Sequence, residues 1–200
     1  MTDVDIMNIA AVKLGTNTIN TRLDQSTTAI VFNARYEAVR DAELRRNLWR
    51  FAIKRTELSA LTSTPLGTQF TTEFQLPSDY LRLVQVAESF VSSQTNYRTV
   101  DESLYSIEGK KLLTNWPSPL LIRYVYRVTD TSVFDTTFRE VLGARLAYEC
   151  CETIVGRSSK KGDIWKDYQQ ASDEARPANA IEVYPQVQPD ESWLMARIDR

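Results

Sequence analysis

Any chemistry in this sequence would have to be done by carboxylates. The 200-residue chain holds 26 Asp and Glu but no histidine. Without imidazole, the Ser-His and Cys-His nucleophile pairs, the commonest general base and the usual nitrogen ligands for metals are excluded. What remains is the pair of acids a glycosidase uses, one protonated and one ionised across a fixed gap. Asp101-Glu102, Asp190-Glu191 and Glu149 with Glu152 are such neighbours in sequence. In a chain this rich in acids such neighbours arise by chance, and solvated charge is the simpler reading.

The other reactive types are equally sparse. Cys150 and Cys151 are adjacent, and neighbours on a helix point about 100° apart, so reduced, inert thiols are expected rather than a disulfide. There is no Cys-x-x-Cys pair and no Asp-x-Asp-x-Asp-Gly loop, so neither metal nor cofactor is expected. Gly109-Lys110-Lys111 and Ser158-Ser159-Lys160-Lys161-Gly162 lack the spacing that cradles a phosphate and read as solvated basic turns. Lys160 and Lys161 are the candidates for a DNA-facing loop, where several copies around one duplex would add weak phosphate contacts. Tyr124 and Tyr126 alternate with arginines and read as core-facing rather than as stacking platforms for single strands.

Composition sets the frame for these residues. Hydrophobic residues make up 42% and charged residues 25%, and the net charge of −2 gives no global electrostatic case for nucleic acid or acidic lipid. The opening MTDVDIMNIAA has acids and no basic run, and no apolar stretch approaches the ~18 residues that span a bilayer, so neither a signal peptide nor a membrane span is expected.

Periodicity supplies the elements. Ile6, Ile9, Ala10 and Leu14 recur at helical spacing, with Gly15 as the stop. Ser26 or Thr27 is placed to cap a long second helix running to about Leu48. On its wheel Ala29, Phe32, Tyr36 and Val39 form one stripe, while Ile30, Ala34, Ala38 and Trp49 fall nearly opposite. A helix apolar on two sides wants neighbours, and Ile30, Arg35, Arg46 and Trp49 are the subunit-interface candidates. Between about Arg50 and Val128 the period becomes 2, clearest at Leu120, Ile122, Tyr124, Tyr126 and Val128, and Gly109 marks a hairpin. Glu88 to Thr99 reads as an exposed loop. Helical period returns over Phe134–Val155, and a last amphipathic helix is expected to end near Pro177.

The expected fold is thus α+β: a bundle of about four helices (1–50 and 130–180), an inserted antiparallel β domain (51–129) and an extended C-terminal arm (181–200). The arm ends in Trp193, Leu194, Met195, Arg197 and Ile198 after two prolines. Large apolar groups are unusual in a solvated tail, so something should cover them. At ~3.3 Å per residue the arm could reach roughly 65 Å. It either folds back on its own helices or docks on a partner; the Pro-spaced linker before the apolar tip favours the partner.

The pattern resembles the tail tubular protein A, or head-to-tail adaptor, family of short-tailed bacteriophages. The resemblance spans most of the chain. It rests on the first helix ending in Lys13-Leu14-Gly15 and on the second helix with Tyr36, Arg40-Asp41 and Leu44, which leads into Trp49-Arg50-Phe51-Ala52. Leu58, the segment Leu76-Pro77-Ser78-Asp79-Tyr80-Leu81-Arg82 and two further helices complete it. Arg50, where a small polar residue is expected, and the few Trp and Tyr before Leu76 are departures that bear on the branch of the family. The resemblance implies a structural protein of the virion head-tail junction, assembled in the host cytoplasm. It implies a dodecameric ring joining portal to tail nozzle, a lumen that passes double-stranded DNA, and no enzyme activity, cofactor or membrane. The arm residues Trp193, Leu194, Met195, Arg197 and Ile198 would then be the portal-binding segment. The rival expectation is a glycan- or peptidoglycan-cleaving tail enzyme working through an Asp/Glu pair.

Overall fold

A computed structural model describes residues 2–86, 105–156 and 159–181. Helix α1, Asp3–Leu14, begins in a reciprocal cap. The Thr2 hydroxyl accepts from the Asp5 amide, and the Asp5 carboxylate accepts from the Thr2 amide at 2.6 Å. It stops at Gly15, whose φ of +70° is the left-handed conformation that glycine adopts without a Cβ clash. Helix α2, Thr27–Arg46, is capped by Ser26, whose hydroxyl accepts from the Ala29 amide at 3.2 Å.

The second helix ends at Arg46, short of the expected Leu48. Asn47 leaves the helical conformation, its side-chain amide donates to Glu43 Oε1 at 3.1 Å, and the Trp49 indole donates to the Glu43 carbonyl at 3.2 Å. A short 3-10 turn at Arg50–Ala52 then leads into strand β1, Ile53–Leu58, which period-2 alternation did not reveal. The remaining strands are β2 Thr72–Gln75, β3 Tyr80–Val86, β4 Tyr105–Glu108, β5 Lys111–Thr114 and β6 Leu120–Tyr126. Helices α3, Thr136–Val155, and α4, Lys161–Ile181, follow.

The fold is α+β, with four helices and two small antiparallel sheets, as the residue pattern predicts. One sheet has the order β1-β6-β3 and the other β2-β5-β4. In the second, Phe74 and Ile107 both lie opposite Leu112, and Gly109 makes the tight β4–β5 turn at a φ of +60°.

The chain divides into two compact units. The first comprises Met1–Lys54, Ser78–Val84 and Tyr124–Ala180; the second contains Arg55–Pro77 and the described part of 85–123. Residues 78–84 and 124–129 therefore fold with the helices, although they lie inside the expected β segment.

The core of the first unit is aromatic where β1 begins and tightly fitted between α1 and α3. Trp49, Phe51, Phe134 and Phe138 form one cluster, with Phe138 edge-on to Trp49 at 4.9 Å, to Phe51 at 5.0 Å and to Phe134 at 4.9 Å between ring centres. A Cβ on Gly143 would stand 2.6 Å from Ile9 Cγ2 and 2.9 Å from Ile9 Cβ, so the missing side chain lets α1 approach α3.

The last helix corrects the expectation at Pro177. It continues to Ile181 despite the proline, which removes one backbone donor and crowds the preceding turn. Asn179 supplies a hold beyond that turn: its side chain donates to the Leu48 carbonyl at 2.7 Å and accepts from the Arg50 amide at 2.9 Å.

Candidate functional site

The residues singled out for docking have different fates. Ile30 is 55% exposed on α2. Ala34, Ala38 and Ala42, one helical turn apart, continue its exposed row. Arg35 lies beside this row and pairs with Glu149 of α3 at 3.2 Å, half-exposed. Arg46 ends the helix with its guanidinium 5.6 Å from the Tyr168 ring centre.

Trp49 is a correction. Its position on the wheel assumed a helix that reached it; α2 has already ended, and Trp49 is turned inward at 1% exposure. It is a core residue of the first unit and cannot offer its ring to a neighbour. The candidate arm residues Trp193, Leu194, Met195, Arg197 and Ile198 lie outside the described residues, as does the Glu88–Thr99 segment.

The basic turn separates into two different lysines. Lys161 opens α4, bonds to Glu152 at 3.0 Å and lies 5.2 Å from the Tyr148 ring centre. The bond to Glu152 holds its ammonium above the usual lysine range. Lys160 is exposed, and its Nζ lies 3.4 Å from where a Cβ on Gly15 would stand. Of these two lysines, Lys160 is the one without a bonded carboxylate among the described residues.

Of the paired acids, Glu149 and Glu152 are described. Glu149 takes Arg145 at 2.7 Å and Arg35 at 3.2 Å, while Glu152 takes Lys161. Each is bound to cations instead of facing its fellow across a gap. Asp101-Glu102 and Asp190-Glu191 lie outside the described residues. Among the described residues no group of three or more acid or cysteine side chains could hold a metal ion. Cys150 is fully buried, and burial pushes its thiol up to about 12, against weaker pull from Arg35.

A polar cluster that no motif announced sits inside the helical unit. Glu43 is 2% exposed; its carboxylate accepts from the Tyr168 hydroxyl at 3.0 Å and from Asn47 at 3.1 Å. Burial raises its pKa, opposed by the Tyr168 bond and by the charges of Arg46 and Arg145. Arg145 lies 5.4–5.8 Å from the ring centres of Tyr148, Trp165 and Tyr168. Glu43 and Tyr168 are 125 residues apart in sequence, so no local spacing could have paired them.

The two segments behind the family resemblance have structural duties. Trp49 and Phe51 belong to the aromatic cluster. Asp79 accepts from the Tyr124 hydroxyl at 2.9 Å and pairs with Lys54 at 3.2 Å, and its carbonyl accepts from the Arg127 amide at 2.7 Å. Tyr124 is buried, and burial with the adjacent Asp79 carboxylate raises its phenol well above the ordinary range. It is a core tyrosine, not a stacking platform.

An open groove of about 490 Å³ is lined by Asp5, Asn8, Ile9, Val12, Lys13 and Glu140. No described helix is long and apolar enough to cross a membrane. No protein-family model matches the chain, and no curated protein matches it significantly.

Proposed function

We propose that this chain is a structural subunit of a phage head-to-tail adaptor: a ring, dodecameric by resemblance, that joins the portal to the tail nozzle and lines part of the DNA channel. The observation that carries the reading is the row Ile30, Ala34, Ala38 and Ala42 along α2, exposed on a helix whose opposite face is already buried in its own core. Small side chains on an exposed row let a neighbouring backbone approach closely. Arg35 at its side is already oriented by Glu149, so a neighbour meets a fixed charge rather than a long free side chain whose ordering opposes binding. Repetition of modest contacts around a closed ring stabilises an assembly that one contact would not.

In this reading the arm residues Trp193, Leu194, Met195, Arg197 and Ile198 anchor the subunit to the portal, with the tryptophan as the energetic centre. Lys160 faces the passing duplex. No chemical step is required of the chain.

The test is the mass of the full chain, by light scattering during size-exclusion chromatography, alone and mixed with the portal protein of the same phage. A complex of fixed stoichiometry is expected. Ala38→Glu should keep the helical circular-dichroism spectrum and lose neighbour packing, and Trp193→Ala should weaken portal attachment. An unchanged mass after mixing overturns the reading.

A further inference from the structure

Three arginines surround the C-terminal end of α2. Arg45 donates to the Leu81 carbonyl, Arg82 donates to the carbonyls of Arg45 and Arg46 at 3.4 and 3.3 Å, and Arg46 lies against the Tyr168 ring. None of the three pairs with a carboxylate among the described residues. Glu43, the nearest acid in sequence, is turned into the core. Each arginine has five N–H donors, and the carbonyl contacts leave most of them unused. Arg45 and Arg46 are exposed. The negative end of the helix dipole offsets only about half a charge.

The outer face of α4 has the opposite character. Asp163, Asp167, Gln170 and Glu174 follow one another at i, i+4, i+7 and i+11 and are all exposed. Asp163 is shared with Lys166 at 3.7 Å, and Asp173 beside the row with Arg176 at 3.2 Å. Asp167 and Glu174 have no cation among the described residues; Glu174 accepts only from Gln170 at 2.9 Å. They stand about 10 Å apart along the helix axis. The first unit therefore carries arginines without a bonded carboxylate at the end of α2, Arg46 acting only through space on the buried Glu43, and carboxylates without a bonded cation along α4.

We propose that these two faces are halves of one contact between copies of this chain, the Arg45–Arg46–Arg82 cluster of one copy seated on the Asp167–Glu174 row of the next. The biological setting rests on the ring reading above. Arginine forks on carboxylates form paired, directional bonds, so the contact would fix orientation between neighbours as well as attract them. Because the two faces differ, it can propagate from copy to copy.

The experiment is sedimentation velocity of the full chain over a concentration series at low and high salt. Wild type should self-associate at low salt and lose that at high salt, because the pairs lie at the surface. Arg45→Glu with Arg46→Glu should weaken association ~tenfold, as should Asp167→Lys with Glu174→Lys, and mixing the two variants should restore it. Arg82 is left intact because it holds the end of α2, and the α4 variant remains decisive if the α2 variant misfolds. Wild type that stays monomeric at low salt, or variants that associate like wild type, overturn the contact. Binding of a 20-base-pair DNA duplex through the same arginines, with no charge-swap rescue, assigns the patch to phosphate and also overturns it. Charge-swap rescue that stops at a dimer keeps the contact and counts against the ring; a missing portal complex with intact rescue rejects only the adaptor reading.

Discussion

Among the described residues each unit buries one glutamate, and the two are held in opposite ways. In the helical unit Glu43, 2% exposed, receives only neutral donors, from Tyr168 and Asn47. In the second unit Glu73, 5% exposed, receives the Ser63 hydroxyl and the Lys111 ammonium, at 2.9 and 3.1 Å to its two oxygens. Lys111 faces solvent on one side, so its charge needs little desolvation to reach Glu73. Burial pushes the Glu43 pKa above its ordinary 4.5, whereas the Ser63 bond, then Lys111, hold Glu73 below it. Three packed helices surround Glu43 with aromatic and aliphatic bulk. A sheet of four-residue strands covers Glu73 with little protein beyond its partners. Burial penalises charge in both places, and only at Glu73 do the partners outweigh the penalty.

The largest test of that difference is to hollow out each unit. Phe138 touches three aromatic rings, so Phe138→Ala should remove about 3–5 kcal/mol and melt the helical unit first. Phe74 is also fully buried, but it lies in a sheet of short strands whose surroundings can collapse, which puts Phe74→Ala at or below the lower end of that range. Chemical denaturation followed by circular dichroism measures both. Equal losses would mean the second unit is as tightly built as the first.

A smaller effect is expected where the helical unit is tightest. At Gly143 any side chain must displace Ile9, so Gly143→Ala should cost about 1–3 kcal/mol although alanine is the better helix former. Ile9→Ala in the same chain should recover part of the loss, and a double-mutant cycle reads the coupling. Additive effects would show that α1 does not depend on this close approach.

The two glutamates make the sharpest test because their pH dependences have opposite sign. A carboxyl whose folded pKa is raised contributes its stability fully below 4.5 and loses it as pH rises through the raised value. Glu43→Gln should therefore gain on wild type in melting temperature as pH rises from acid past 4.5 to neutrality. Glu73 contributes above 4.5 and loses that as pH falls through its lowered value. Glu73→Gln should be less stable than wild type near neutrality and match it in acid. Melting curves over that range decide, and parallel profiles for the two variants would break the comparison.

Little of this contrast was legible in the sequence, and the reason is distance along the chain. Local rules located α1 by its apolar spacing and its Gly15 stop, the β4–β5 hairpin at Gly109 and the long buried α3, because each is written in residues a few positions apart. They failed where a remote partner decides. Pro177 lies inside α4, where Asn179 is held by Leu48 and Arg50. Trp49 was extrapolated onto a helical face although Asn47 had already turned the chain. Strand β1 has apolar residues only at its ends, Ile53 and Leu58, so its place in a sheet depends on β6 rather than on its own pattern. Of the candidate site, exposed Ile30 and the inert cysteines were readable; the Glu43–Tyr168 pair and the arginine cluster were not.

The smallest expected effect lies one turn beyond Tyr168. Ser172 is 3% exposed on the same helix, and its hydroxyl oxygen has no hydrogen-bond partner among the described residues. Tyr168 and Ser172 thus bury hydroxyls at i and i+4, one serving Glu43 and the other serving nothing. Removing an unpaired buried hydroxyl relieves a desolvation penalty, and alanine is the better helix former, so Ser172→Ala should gain about 0.5–1 kcal/mol. The gain should not change with pH, because no titrating group bonds to Ser172, whereas the Glu43→Gln gain should grow as pH rises. If Ser172→Ala instead destabilises, the hydroxyl is satisfied in solution. The contrast with Glu73 then narrows to the one Glu43 carboxylate.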